Sequence, residues 1–243
     1  MKELLKIIFS VHKCVSCRKI LGREDFDSAF CADCREVYLA SKMSICPECS
    51  LEAEKCRCMP PMLKKNKVKA LRKLFFYSKE KGGEPQNRLV YFIKKNKSRR
   101  VTRDVAKELK PLIAGELARE ELKGKPVLIS VPRSRRALFE YGFDQSALLA
   151  RELSELCDIE YLPLLKSRGI RAQKKLTAGE RMKNVRGRLI VNQGEAERIK
   201  GRSVILIDDV VTTGASMSAC ARVLLELGAL EILGIAISSD IKP

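Results

Sequence analysis

Two adjacent carboxylates, Asp208 and Asp209, stand at the end of the apolar run Val204-Ile205-Leu206-Ile207 and just before Val210-Val211-Thr212-Thr213-Gly214-Ala215-Ser216. The four β-formers read as a buried strand, and the stretch from Ala215 to Leu227, ended by Gly228, reads as a helix. A strand, a short hydroxyl-bearing loop and a helix N-terminus present converging N–H donors at the positive end of a dipole, where a phosphate binds well. The paired aspartates add what a phosphate cradle lacks: acceptors for ribose hydroxyls and oxygen ligands for a hydrated magnesium ion. The structural alternative is that Asp209, Thr212 or Thr213 merely caps the helix.

A second set of chemically able residues is the cysteines. Cys14-x-x-Cys17, Cys31-x-x-Cys34, Cys46-x-x-Cys49 and Cys56-x-Cys58 supply eight thiolates, enough for two closed tetrahedral zinc sites of structural type. The first four are assigned to one zinc and the second four to another; an interleaved pairing is compatible with the same spacings. Disulfides are the competing use. However, the opening MKELLKIIFSVHK has lysines inside its apolar stretch and no small-residue cleavage site, so it does not read as an export signal. No apolar run approaches the roughly 18 residues of a membrane span. A reducing, cytoplasmic setting is expected, where paired cysteines bind metal more often than they cross-link. Cys157 and Cys220, in apolar helical patterns, read as core, and the sole histidine, His12, as a ribbon residue or spare ligand.

These residues have to be positioned by a chain of 243 residues. Met59-Pro60-Pro61-Met62 reads as a stiff break, which divides the chain into a small cysteine-stapled module over 1–62 and one α/β domain over 63–243. From Leu63 to Lys123 the pattern is mostly helical, with two amphipathic helices preceded by a strand candidate at Phe75 to Tyr77. Beyond Gly124, strands are expected at Val127 to Val131, Ile159 to Leu162, Leu189 to Val191, Val204 to Ile207 and Ile232 to Ser238, with a helix at Gln145 to Cys157. Strands alternating with helices predict a parallel, Rossmann-like sheet with its ligand site at the carboxyl ends of the strands.

The net charge of +18 is uneven. Residues 1–62 hold 10 Lys/Arg against 9 Asp/Glu, whereas Leu63 to Arg103 carries fifteen basic residues opposed only by Glu80 and Glu84. A further nine lie between Lys166 and Arg188 against Glu180 alone. With Phe75, Phe76, Tyr77, Tyr91 and Phe92 among them, these runs predict a polyanionic partner, single-stranded nucleic acid.

VILIDDVVTTGAS resembles the signature with which type I phosphoribosyltransferases bind phosphoribosyl pyrophosphate (PRPP). Nearly the whole chain resembles the ComF family of competence proteins, which join a double zinc ribbon to a phosphoribosyltransferase-like domain. VPRSRRALFEYGFDQSALLA, with the tetrad Gly142-Phe143-Asp144-Gln145, is similar to that family's pyrophosphate-loop region. KSRGIRAQKKLTAGERMKNVRG is similar to its flexible loop, and Tyr141 stands where an arginine is usual.

The resemblance implies a type I phosphoribosyltransferase fold that binds PRPP with magnesium and handles incoming single-stranded DNA in natural transformation, with a competence-machinery ATPase as a possible partner. Carried onto this sequence, Val210, Val211, Thr212, Thr213, Gly214 and Ser216 hold the 5'-phosphate. Asp208 and Asp209 bind the ribose and stabilise positive charge growing on the ring. Arg133, Arg135 and Arg136 meet the pyrophosphate, and a loop bearing Arg168, Gln173, Lys174, Lys175 and Arg181 closes over it. The same residues would serve a nucleobase-salvage enzyme, or a non-catalytic nucleic-acid-binding scaffold that kept the fold. Turnover of a free base marks the former, and salt-sensitive strand binding marks a DNA-handling protein.

Overall fold

The computed structural model describes residues 11–77, 83–120, 122–167 and 189–240. The loop bearing Arg168, Gln173, Lys174, Lys175 and Arg181 lies outside them. In chain order the elements are α1 (Ala32–Lys42), α2 (Pro61–Lys65), β1 (Val68–Tyr77), α3 (Pro85–Lys95), α4 (Arg99–Leu117), β2 (Val127–Ser130), α5 (Arg135–Tyr141), α6 (Gln145–Cys157), β3 (Leu165–Ser167), β4 (Leu189–Val191), α7 (Gln193–Ala196), a 3₁₀ turn (Glu197–Ile199), β5 (Val204–Val211), α8 (Ala215–Glu226) and β6 (Ile232–Asp240).

β1, β6, β5 and β2 form one sheet in that order, and every neighbouring pair is parallel. Parallel strands covered on both faces are buried along nearly their full length, as β5 and β6 are. α3, α4 and α6 pack on one face, with Leu74, Phe75, Leu109, Leu149, Ile205 and Ile235 meeting in the core. α2 and α8 pack on the other, around Leu63, Leu71, Leu206, Met217 and Leu224. At Gly234 a Cβ would sit 2.8 Å from Met217 Sδ, so α8 lies close against the sheet because β6 carries no side chain there.

Three expectations change. β1 begins at Val68 rather than Phe75, because Arg72 and Lys73 are buried in it, and buried cations break the alternation by which a strand is recognised. Ile159 to Leu162 makes only a single parallel bridge, Leu128 with Tyr161. Leu189 to Val191 pairs antiparallel with β3 in a separate two-stranded sheet. After the break, Pro61 opens α2 from its first turn, where a missing N–H costs nothing.

The cysteine-rich module packs on the rest of the chain through shared core. Phe30 and Tyr38 are buried with Phe75, their rings 4.8 and 5.8 Å apart in sequence, and the Tyr38 hydroxyl donates to Glu108 at 2.8 Å. At the β1 edge, the Leu71 N–H donates to the Arg57 carbonyl at 3.3 Å. The module thus covers a strand edge that would otherwise expose unpaired backbone. Glu116, buried on α4, accepts from Arg57 at 3.0 Å and Arg72 at 2.5 Å, and so joins module, sheet and helix.

Candidate functional site

Because all four strands of the main sheet point one way, their carboxyl ends gather along one edge. β5 carries its acidic pair there. Asp209 is buried and Asp208 half-buried. Each has a donor from the start of α6: Gln145 Nε2 donates to Asp209 Oδ2 at 2.8 Å, and Ser146 Oγ donates to Asp208 Oδ1 at 3.2 Å. Backbone N–H groups of Asp209 and Val210 donate to Asp208 Oδ1 at 2.9 Å and Asp209 Oδ1 at 2.7 Å. Lys94 on α3 approaches Asp209 at 3.9 Å. Burial, followed by the charge of Asp209, pushes the Asp208 carboxyl well above the usual carboxylate range.

The tetrad Gly142-Phe143-Asp144-Gln145 is what aims those donors. Gly142 ends α5 at φ 74°, a left-handed turn that suits glycine. Asp144 then caps α6, its Oδ1 accepting from the Ala147 N–H at 3.1 Å while its Oδ2 accepts from the Arg133 N–H at 2.9 Å. The next two side chains, Gln145 and Ser146, thereby emerge toward the acidic pair.

After the acidic pair, Val210, Val211, Thr212, Thr213, Gly214 and Ser216 surround a small hollow of about 60 Å³ at the N-terminus of α8. Gly214 is required twice over. Its φ is +75°, and a Cβ there would sit 2.8 Å from Leu63 Cγ on α2. The Thr213 hydroxyl accepts from the Ala215 N–H at 3.4 Å, so part of the capping alternative is realised beside the open cradle.

A larger hollow of about 310 Å³ adjoins it, between β5 and the loop after β2, lined among others by Asp208, Asp209, Pro132, Arg133, Gln145 and Ser216. Arg133 does border it, but its guanidinium donates to the carbonyls of Lys94 at 2.8 Å and Phe143 at 3.3 Å and lies over the Tyr141 ring. It therefore shapes the loop. Arg135 and Arg136 are exposed in the first turn of α5 and do not line the hollow. Lys94 and Ser146 were not singled out from the sequence. Ser146 directly follows the tetrad, which was its signal, whereas Lys94 was one lysine within a basic run.

Oxygen donors and a buried Gln145 Oε1 with no partner suit a hard cation such as magnesium. Among the described residues no third acidic side chain joins the pair.

The eight cysteines gather as two sequential groups, Cys14, Cys17, Cys31, Cys34 and Cys46, Cys49, Cys56, Cys58, with the sulfurs of each group all within 4.8 Å of one another. A tetrahedral zinc with bonds of about 2.3 Å sets sulfurs about 3.8 Å apart, so both groups could hold one. Fully buried Lys73 donates to Cys56 Sγ at 3.2 Å and to the Cys58 carbonyl at 2.8 Å. His12 packs on Phe26 and joins neither group. Cys220 is core, and Cys157 is partly buried.

Much of the basic run is engaged in ion pairs and hydrogen bonds, although Lys64, Lys69, Arg88 and Arg99 remain exposed as they make them. Arg99 and Arg103 pair with Glu152 and Glu155, Lys69 with Glu231 and Lys64 with Glu48. Arg88 and Arg100 donate to the carbonyls of Ser16 and Ser28. Lys65, Lys67 and Lys97 stand exposed. Of the aromatics, Phe75 is core and Tyr91 is exposed, with Lys95 over its ring.

The described residues thus join a parallel α/β core, with an acidic pair and a small hollow at its strand ends, to two four-cysteine groups of zinc-site spacing. The chain is 32% identical over 107 residues to the DNA utilization protein YhgH of Escherichia coli O157:H7, a match covering 43% of this chain and 45% of that protein. It is 28% identical over 151 residues to Competence protein F of Haemophilus influenzae, covering 61% and 66%. These matches thus span about half to two thirds of the relatives' lengths. No protein-family model matches the chain. A solved structure similar to it, a hypoxanthine phosphoribosyltransferase from Staphylococcus aureus, is 11% identical with a TM-score of 0.36, covering 60% of this chain and 77% of that one.

Proposed function

We propose that this protein binds PRPP with magnesium at the Asp208 to Ser216 segment and acts in the use of incoming DNA. The observation that carries the reading is the adjacency of a hydroxyl-lined hollow at a helix N-terminus and a hydrogen-bonded pair of aspartates at the carboxyl edge of a parallel sheet. In this reading the cradle takes the 5'-phosphate. The aspartates accept from the ribose hydroxyls, held in place by Gln145 and Ser146, and the loop Pro132 to Ser134 borders the pyrophosphate. Asp208 and Asp209 would hold magnesium, which supplies charge neutralisation for the pyrophosphate. The two four-cysteine groups hold structural zinc and contribute folding free energy to a module too small for a generous core.

The role in DNA use draws on the names of the homologues, Competence protein F and DNA utilization protein YhgH. It is also supported by the net charge of +18 and by the exposure of much of the basic run, Lys65, Lys67, Lys95 and Lys97 among it, although several of its cations are engaged in ion pairs. The test is calorimetry on a variant with both Asp208 and Asp209 changed to alanine, at wild-type zinc content. Loss of magnesium-dependent PRPP binding is expected, and an unchanged affinity overturns the assignment.

A further inference from the structure

A hollow of about 480 Å³ opens between the turn that carries Cys14 and Cys17 and the helix α3, and it shares no lining residue with the hollows at the acidic pair and the hydroxyl loop. Its size falls within the range of small-molecule sites. The two walls are tied directly: Arg88 on α3 donates to the carbonyl of Ser16, which is buried between the two cysteines. The shape is therefore set by the fold before any ligand arrives.

Its chemistry is the reverse of that at the acidic pair. The charged side chains lining it are Arg18 and Arg88, both exposed, and among the described residues no carboxylate does so. Tyr91 lines it at 61% exposure, with Lys95 Nζ 4.2 Å from its ring centre as a third cation, and Tyr77 at the end of β1 adds a second ring. Asn87 and Asn96 bring carboxamides, which both donate and accept. Guanidinium forks match a phosphate, an exposed aromatic ring takes the face of a base, and carboxamides can pair with its edge.

Arg18 is the least expected of these residues. Its φ is +68°, in the region that favours glycine, and Ser50, at the corresponding place after the second cysteine of the next group, has φ +58°. In both turns the backbone N–H of this residue donates to the carbonyl of the first cysteine, Arg18 to Cys14 at 3.1 Å and Ser50 to Cys46 at 2.9 Å. The left-handed backbone thus belongs to the turn itself, and glycine would satisfy it with less strain. The arginine is explained by what its guanidinium faces rather than by the turn.

We propose that this hollow binds one nucleotide, its phosphate on Arg18 and Arg88 and its base against Tyr91. A free mononucleotide and one nucleotide of a single strand present the same chemistry to these residues. The site stands independently of the PRPP reading, since none of its residues belongs to the acidic pair or the hydroxyl loop. The first four-cysteine group then shapes a ligand site as well as stapling the module.

The chain has no tryptophan, so Tyr91→Trp introduces a single indole whose emission a stacked base quenches. The zinc-loaded full chain with this substitution is titrated with dAMP, dGMP, dCMP and dTMP, with their nucleosides, with inorganic phosphate and with single-stranded hexanucleotides of each base. Calorimetry then measures the tightest probe against wild type, Arg18→Gly, Tyr91→Ala and a variant with Asp208 and Asp209 both changed to alanine. At least one nucleotide or hexanucleotide should quench the indole at one site per chain, at least tenfold more tightly than its nucleoside or inorganic phosphate. Arg18→Gly should weaken binding at least tenfold without lowering the melting temperature, because glycine suits the turn. Tyr91→Ala should weaken it at least about fivefold, the low end of what base stacking contributes. The double aspartate variant should keep wild-type affinity. Binding of mononucleotides identifies a free ligand, and binding of hexanucleotides alone identifies a strand. No quenching by any probe, full affinity in Arg18→Gly and Tyr91→Ala, or loss of binding in the double aspartate variant overturns the proposal.

Discussion

Changing Lys73 to methionine should weaken zinc binding at the second four-cysteine group and leave the first untouched. Lys73 is 1% exposed, and its Nζ lies 3.2 Å from Cys56 Sγ. Four thiolates around one Zn²⁺ leave a centre of net charge −2, so the buried cation favours the metal-loaded state. Without zinc, burial holds the Cys58 thiol well above the ordinary range, so the group carries fewer thiolates to offset Lys73 than the four of the loaded site. Methionine has similar length and removes the cation without opening a cavity. It destabilises the loaded state and relieves the metal-free one, and both effects lower affinity. Outer-shell partners of this kind are worth about 10–100-fold in metal affinity, or about 1.4–2.7 kcal/mol. Chelator competition followed by native mass spectrometry should show the variant passing through a one-zinc species at chelator concentrations where the wild type keeps two. Loss of both ions together, or at the wild-type concentration, would refute the charge argument.

Other outcomes follow from the same structure. Glu116→Ala leaves Arg72 buried without its carboxylate and should cost about 3–5 kcal/mol, lowering the melting temperature by roughly 6–20 °C in a scan against Glu116→Gln and wild type. Burial raises the Asp208 carboxyl, so the folded state holds that proton more tightly than the unfolded state, and stability falls as pH rises from the ordinary aspartate range through the folded value. Asp208→Asn should therefore flatten the decline in melting temperature toward pH 8; an identical pH profile would contradict the burial argument. If single strands bind through the exposed lysines, changing Lys65, Lys67 and Lys97 to glutamine should flatten the log–log salt slope by about 2, three contacts at about 0.7 each. An unaltered slope would move the interface elsewhere.

Much of this architecture was legible in the sequence because the relevant signals are local. The CxxC pairs sit within single turns, and α6 runs from Gln145 to Cys157 as its apolar spacing predicts. β5 and its loop are marked by four β-formers followed by two carboxylates and a glycine with no room for a Cβ. The missed features depend on contacts distant in sequence. Arg72 and Lys73 read as surface cations, yet their partners, Glu116 and the second four-cysteine group, lie 44 and 17 residues away along the chain. The same holds for the basic run, whose charges are matched by Glu152, Glu155 and Glu231 from later elements. Ile159 to Leu162 has strand composition, but it makes only the bridge to Leu128.

The most direct test of the central claim is a calorimetric titration of the zinc-loaded protein with PRPP, run with magnesium and with a chelator, alongside ribose 5-phosphate and pyrophosphate. A cradle and an acidic pair acting together predict one site per chain that needs magnesium and binds PRPP more tightly than either fragment. Absence of binding, or equal affinity for PRPP and ribose 5-phosphate with no magnesium dependence, would contradict it.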